Sequence, residues 1–517
     1  MSAISKKQAQ APLILALDIG SSATRGRIFD ANAATIKKLD HRVRHQMTSA
    51  PDGTNVCDAD EMTHEVIEIV DSLIEKVGKA AVDIGAVAID TFASTLVGVD
   101  GSGKALTPVF TYADSRPAPL VRQLQTSFDE DAVQQRTGCR FHASYLPARL
   151  LWLAETQPEL LGKVSAWLSL GEYAYRKFLG QTASSFSAAA WTGLLNRHTL
   201  AWDDELVTHL PVRADQLSPL HDNNEPLTGM TRAFARRWPQ LKQAVWFPSI
   251  ADGYASNVGS GARDPSFLAL AAGTSGAVRV LLPEPPETIP LGLWCYAVNR
   301  RQSLLGGALN DAGRAIVWLR DLLKLPKESD LIEVVKAAPR PDTPVVLPFL
   351  TGERSPGWAG HATASFTGMD QHTTAAGLFR AAVEGIGQRM ELITEQIQTV
   401  APHGERIVAS GGAVDGLPDW LQILADIMQL PVAMSLEPQS TLRGTAEIAL
   451  DELVPDRQRP VAPLGQTFQP NPEHATFYRA ARQRQQDDYR CLVAEREPAA
   501  TDKGRKPAPG SEAGTLA

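Results

Sequence analysis

The sequence predicts an α/β protein built from two related halves around a shared cleft. Two observations carry that reading. The stretch Leu15-Ala16-Leu17-Asp18-Ile19-Gly20-Ser21-Ser22-Ala23-Thr24-Arg25 reads as an apolar strand, a Gly-Ser-Ser turn and a second strand running to Phe29. The pattern returns at Leu268-Ala269-Leu270-Ala271-Ala272-Gly273-Thr274-Ser275, with Leu-Ala-Leu, a glycine and hydroxyl side chains in matching places. Glycine lets backbone come close to a ligand, and successive N–H groups in such a turn form an anion-binding nest. Each half then offers one loop suited to gripping phosphate. Two unrelated hairpins that match by accident are the plainer alternative.

The elements follow in order. After the first hairpin, Thr35–Gln46 reads as a third strand. Glu61–Val77 places Val66, Ile69, Val70, Leu73, Ile74 and Val77 on one helical face. Val82–Asp90 is a buried strand, and Leu96–Val99 leads into a hairpin turn at Asp100-Gly101-Ser102-Gly103. This β-β-β-α-β order is that of an actin-like (ribonuclease H-like) nucleotide-binding core. Residues from about 115 to 245 carry helix signals, at Leu146–Leu153 and Leu170–Leu179, and read as an elaboration of the first half. Ala251–Gly261, with three glycines, is the expected crossover.

The second half begins near Asp264. Ala277–Leu282 is its second hairpin strand, Pro283–Pro290 a loop, and Ala308–Leu323 a helix with Ile316, Leu319 and Leu323 inward. Val345–Leu350 reads as a strand and Thr374–Val400 as a long helix. Ile407–Ser410 is a strand ending in Gly411-Gly412, followed by a helix at Pro418–Met428; Thr441–Leu450 closes the unit. Pro472–Glu495 is a terminal helix, with Asn471 as N-cap and Pro472 in its first turn. The expected division is 1–11 flexible, 12–262 first domain, 263–460 second domain, 461–496 helical extension and 497–517 disordered tail, the last on its Pro/Gly/Ala/Ser/Lys composition.

Bulk properties narrow the function class. Among 517 residues, 58 acidic against 50 basic side chains give a net charge of −8, which argues against nucleic acid as a main partner. The cysteines Cys57, Cys139, Cys295 and Cys491 are scattered without a CxxC pair, as in reduced cytosolic proteins. No signal-like or membrane-spanning apolar run is seen, so a cytoplasmic location without membrane contact is expected. The oligomeric state is left open, a homodimer included. Gly98-Val99-Asp100-Gly101-Ser102-Gly103-Lys104 fits a P-loop spacing, but Ala105 replaces the required Ser/Thr and no helix follows.

Four blocks in order, ALDIGSSATRGRIFD, IADGYASNVGSG, PFLTGERSPGW and SGGAVDGLPDWLQILADIMQLPV, resemble those of the FGGY family of carbohydrate kinases over residues 12–460. The resemblance implies ATP and Mg²⁺ as cofactors and two actin-like domains flanking a catalytic cleft. It implies Asp18 as the Mg²⁺-side carboxylate, acting through water. Gly20, Ser21, Ser22, Thr24 and Arg25 would hold phosphates on one side, and Gly273, Thr274 and Ser275 on the other. Gly411 and Gly412 would leave room for adenine, although Asp415-Gly416 stands where many relatives carry Ser, Ala or Asn. Asp252 would be the general base that takes the proton from the attacking hydroxyl.

For the sugar side, the resemblance points to Ser94, Asp114, Arg116, His142, Tyr145 and Glu353. Ala93-Ser94 replaces the Arg-Glu pair of glycerol kinases and the Met-His pair of xylulokinases, so both substrates are disfavoured. TGCRFHASYLPARLLWL and GLWCYAVNRRQSLLGGALNDAG are similar to the gluconokinase branch. Gluconate is a carboxylate, for which Arg116, Arg140, His142 or Arg354 can supply a cation. The expected reaction is ATP-dependent phosphorylation of D-gluconate to 6-phosphogluconate. A ketose or polyol is the alternative substrate, and a non-catalytic actin-like ATP-binding protein the remote alternative.

Overall fold

The computed structural model describes residues 3–325, 331–459 and 461–495. The disordered tail expected over 497–517 lies outside the described residues.

The first half forms a sheet from β1 (Leu13–Ile19), β2 (Ala23–Phe29), β3 (Thr35–Arg44), β4 (Ile84–Thr91), β5 (Val245–Trp246) and β6 (Ile250–Ala251). β1 runs antiparallel to β2, β2 antiparallel to β3, and β1 parallel to β4, which also pairs with β5 and β6. The helix α1 (Ala59–Val77) starts where the Asp58 side chain accepts from the N–H groups of Asp60 and Glu61, which would otherwise lack partners. It buries Val66, Ile69, Val70 and Leu73 against the sheet. The stretch expected to be flexible is tied down in part: Ile4 N–H donates to Thr35 O at 2.9 Å, and Lys37 N–H donates to Ile4 O.

The second half repeats this plan. Its strands, after the connecting helix α2 (Asp252–Gly259), are β7 (Phe267–Ala272), β8 (Gly276–Leu282), β9 (Trp294–Ala297) and β10 (Ser303–Leu309). Beyond α3 (Gly313–Leu322) and α4 (Ala375–Val400) come β11 (Arg406–Ser410), α5 (Trp420–Met428) and β12 (Val432–Ser435). β7 pairs antiparallel with β8, β8 antiparallel with β10, and β7 parallel with β11, as β1, β2, β3 and β4 do in the first half. The expected helix over Ala308–Leu323 begins only at Gly313, because Ala308 and Leu309 still pair with Ala277 and Gly276 in the sheet.

Two departures concern the junction. Ala251–Gly261, expected as a glycine-rich crossover, is mostly the helix α2. Thr441–Leu450 belongs to α6 (Ser440–Leu453), which crosses α2 and packs Leu442, Ala446, Ala449 and Leu450 against Ile14, Ala16, Ala86 and Ala88 of the first sheet. The chain of the second half thus returns to cover the first. Two glycines permit the crossing: a Cβ on Gly444 would stand 1.8 Å from Ala255 O, and one on Gly259 1.8 Å from Ser440 O. Finally, β13 (Leu464–Phe468) extends the second sheet beside β12, and α7 (Pro472–Tyr489) packs on that half with Tyr478 and Gln485 buried. No helix among the described residues is long and apolar enough to cross a membrane.

Candidate active site

Strand register gathers three carboxylates at one sheet edge. Asp18 pairs with Asp90 across the parallel β1–β4 ladder, and Asp90 pairs with Ile250 across β4–β6. Asp252 follows directly on β6 as the first residue of α2, with Ala251 in the N-cap position. All three therefore lie at the carboxyl ends of adjacent parallel strands, where open α/β sheets bind ligands.

Burial and like charge set their protonation. Burial raises Asp18 above the usual carboxylate range, against the opposing pull of Arg25, whose Nη1 donates to Asp18 Oδ2 at 2.9 Å. Burial, then the charge of Asp18, holds Asp90 well above that range; Oδ2 accepts from Thr445, and a hydrogen bond shared with Asp18 keeps the proton on Asp90. Burial pushes Asp252 up to about 6, with Arg279 pulling it down. A carboxylate poised near neutrality suits proton transfer.

The residues expected to hold phosphate divide. Ser21 and Ser22 are exposed at the β1–β2 turn, and Gly20 O is held by His45 Nε2 at 3.0 Å. Thr24 turns away: it is buried and donates to Glu65 Oε2 at 2.6 Å, so its hydroxyl is used within the fold. Arg25 is engaged by Asp18 and is partly exposed. Across the cleft, Thr274 and Ser275 are exposed, and the loop lies on the start of α3: Gly313 N–H donates to Gly273 O at 2.9 Å and Arg314 N–H to Thr274 O at 3.1 Å. Gly411 has φ 108° and passes so close to β7 that a Cβ would sit 2.5 Å from Ala272 O. Gly412 faces open space and, with Gly273, Thr274, Arg314, Val317 and Trp318, lines a cavity of about 570 Å³. Tyr112 is hydrogen-bonded to Ser21 and lies within the fields of Asp252 and Arg314.

Of the residues expected to meet the sugar, some lie buried beside the cleft and others are engaged by neighbours elsewhere. Ser94 is buried with φ 57°, and its hydroxyl donates to Trp191 O at 2.6 Å. Tyr145 is buried, bonded to Tyr296 and to Arg354. His142 packs edge-on to Tyr145 and Trp358, and burial, with Arg354 and Arg149 adding to it, lowers its pKa to about 3, so it is neutral and supplies no cation. Asp114 and Arg116 are spent on each other, with Nε to Oδ1 at 3.0 Å and the guanidinium over Trp152. Arg140 pairs with Glu130 and Asp131. Glu353 is buried and held by Arg389 and Tyr489, bracing its loop rather than facing the cleft.

Asp90 and Arg279 were missed by sequence reasoning. Arg279 is a lone charge in the apolar strand β8, and Asp90 is the penultimate residue of the apolar strand β4; a charge inside a buried run was the available signal. Arg279 and Arg354 each reach the cleft half-buried, each with an unpartnered Nε, and neither forms an ion pair with a carboxylate among the described residues. The aromatic stack of Trp191, Tyr296 and Trp294 stands beside them, and a Cβ on Gly253 would lie 3.1 Å from Trp191 and 3.7 Å from the Arg279 guanidinium carbon.

Comparison with known proteins bears on this arrangement. The profile of the FGGY family of carbohydrate kinases, N-terminal domain, matches residues 13–259, and that of the C-terminal domain matches residues 268–450. A protein named Gluconokinase from Bacillus subtilis (strain 168) is 24% identical over 453 residues, 84% of this chain and 87% of that one. The crystal structure of gluconate kinase from Lactobacillus acidophilus superposes with TM-score 0.86 at 25% identity, covering 93% of this chain and 98% of the other. A ligand-bound xylulose kinase from the same organism gives the same TM-score and identity, covering 93% and 99%. With two actin-like halves matched over residues 13–259 and 268–450, this chain belongs to the FGGY family of carbohydrate kinases and is an ATP-using carbohydrate kinase.

Proposed function

We propose that the substrate is a sugar acid, D-gluconate, phosphorylated by ATP to 6-phosphogluconate. The observation that carries this reading is the pair Arg279 and Arg354, two guanidiniums at the cleft that form no direct ion pair with a carboxylate among the described residues, Asp252 acting on Arg279 only through its field. Placing two desolvated cations side by side is costly without an anion. A substrate carboxylate supplies that anion through charge-assisted hydrogen bonds, which a polyol or ketose cannot do. Two of the compared proteins carry gluconate kinase names, in keeping with this choice.

In this reading Asp252 accepts the proton of the terminal hydroxyl as it attacks the γ-phosphate. Its raised pKa matches that task at neutral pH, and such a base contributes roughly 10²–10⁴-fold. The Trp191 face bounds the sugar, and Ser94 fixes Trp191 through its backbone carbonyl. The exposed Ser21, Ser22, Thr274 and Ser275 hydroxyls and N–H groups hold the phosphates. The hard carboxylate oxygens of Asp18, at the carboxyl end of β1 with Asp90 beside it on β4, fit a water-coordinated Mg²⁺. Bound there, the ion would offset charge on the phosphate chain.

A coupled ADP-release assay over sugar acids, ketoses and polyols tests the assignment. Gluconate should give the highest kcat/KM. Background turnover with gluconate beside robust turnover of a ketose or polyol would reject it.

A further inference from the structure

The C-terminal helix lies beyond the matched family segments, yet Tyr489 ties it to the loop that carries Arg354. Tyr489, in the last turn of α7, donates its hydroxyl to Glu353 Oε2 at 2.6 Å across 136 positions of sequence. The other Glu353 oxygen takes Arg389, whose guanidinium lies 4.6 Å from the Tyr489 ring centroid and 5.3 Å from that of Phe349. The loop that follows is closed on itself: Glu353 N–H donates to Ala359 O at 3.0 Å, and Gly357 N–H reaches back to Glu353 Oε1 at 3.3 Å. Gly357 abuts the helix so tightly that a Cβ would fall 1.9 Å from the Tyr489 hydroxyl. The next residue after the anchor is Arg354, which is bonded to Tyr145 and faces Tyr296 and His142.

We infer that Tyr489 is a positioning residue for Arg354, so that the C-terminal helix sets how well the cleft holds its sugar. The physical basis is an anchor one residue away from the guanidinium. A buried carboxylate that loses the only partner of one oxygen, as Glu353 Oε2 would lose Tyr489, shifts to recover one. Glu353 is continuous with Arg354, and a shift of the first moves the second. Small displacements of a substrate-orienting group are costly in binding. The inference rests on the reading that Arg354 contacts the substrate, and the experiment separates the two.

KM for gluconate, KM for ATP, kcat and Tm are measured for the full-length protein and for Tyr489→Phe, Arg354→Gln and Arg482→Ala. If gluconate is not turned over, the best substrate of the panel replaces it. Arg482 sits on the same helix but pairs with Glu391 and Glu395. It therefore controls for loss of helix docking alone. The expected result is a roughly tenfold rise in sugar KM for Tyr489→Phe with ATP KM within twofold, and no KM change for Arg482→Ala. Sugar KM unchanged in Tyr489→Phe while Arg354→Gln raises it overturns the positioning role and leaves the substrate reading standing. Equal KM shifts in Tyr489→Phe and Arg482→Ala also overturn it. An unchanged sugar KM in Arg354→Gln removes the substrate reading, and the inference with it. Should Tyr489→Phe fold poorly, Phe349→Leu loosens the same Arg389–Tyr489 stack and is read in the same way.

Discussion

Thr445 Oγ1 donates to Asp90 Oδ2 at 2.6 Å, joining residues 355 positions apart at the crossing of the two halves. Thr445 lies on α6, which belongs to the second half in sequence but covers the first sheet. The bond satisfies one oxygen of an acid that also sits against Asp18. Thr445→Val keeps the shape and removes the donor. The expected cost is about 1–3 kcal/mol, the penalty of leaving a buried acceptor unpaired, read as a lower urea midpoint with unchanged slope.

The same crossing depends on close backbone contact. Gly444→Ala would press a methyl group to 1.8 Å from Ala255 O and 2.8 Å from Gly259 N, both backbone atoms of α2. Neither atom can rotate aside, so the helices must separate. We expect a loss of at least about 3 kcal/mol, at the upper end of overpacking costs. Because α2 begins with Asp252, turnover should fall as well. Thermal unfolding and the ADP-release assay check both parts.

How far the sequence reaches can be read from individual residues. The duplicated hairpins were legible because an apolar run followed by Gly and hydroxyls repeats, and β1–β2 and β7–β8 lie where that repeat puts them. Asp252 was legible from its block and falls at the carboxyl end of β6 beside Asp18 and Asp90. The path of α6 was not legible, since nothing local says which sheet an amphipathic helix will cover. Thr24, Asp114, Arg116 and Arg140 have the right chemistry for a ligand, but neighbours in space claim them. Arg279 went unnoticed because its strand reads as core, and only the fold shows that its side chain reaches the cleft.

The guanidinium pair makes a sharp prediction about selectivity. Arg354→Gln and Arg279→Gln should each raise KM for gluconate by about 10²-fold, the loss expected for charge-assisted bonds to a carboxylate. ATP KM should hold within about threefold in Arg354→Gln. Turnover of a neutral polyol should fall far less in that variant than turnover of gluconate. Initial rates over both substrate concentrations give all three numbers.

Asp252 supplies a pH test with a definite sign. In the proposed role of base it must be ionised, and burial pushes its pKa in the folded protein up to about 6. kcat/KM should therefore rise with pH through about 6 and level off above 7, following one ionisation. Asp252→Asn should lower kcat by roughly 10²–10⁴-fold and flatten that limb. Stability runs the other way. Between the ordinary value of 3.8 and about 6, the folded protein keeps a proton that the unfolded chain has released, so stability falls as pH rises through this window. Above it the penalty is constant, about 1–3 kcal/mol for a partly exposed carboxyl. Asparagine carries no such penalty, so the variant should melt higher than the parent at pH 8, with the difference closing toward pH 4. A residue kept for packing alone would show neither the crossing of activity against stability nor its dependence on pH.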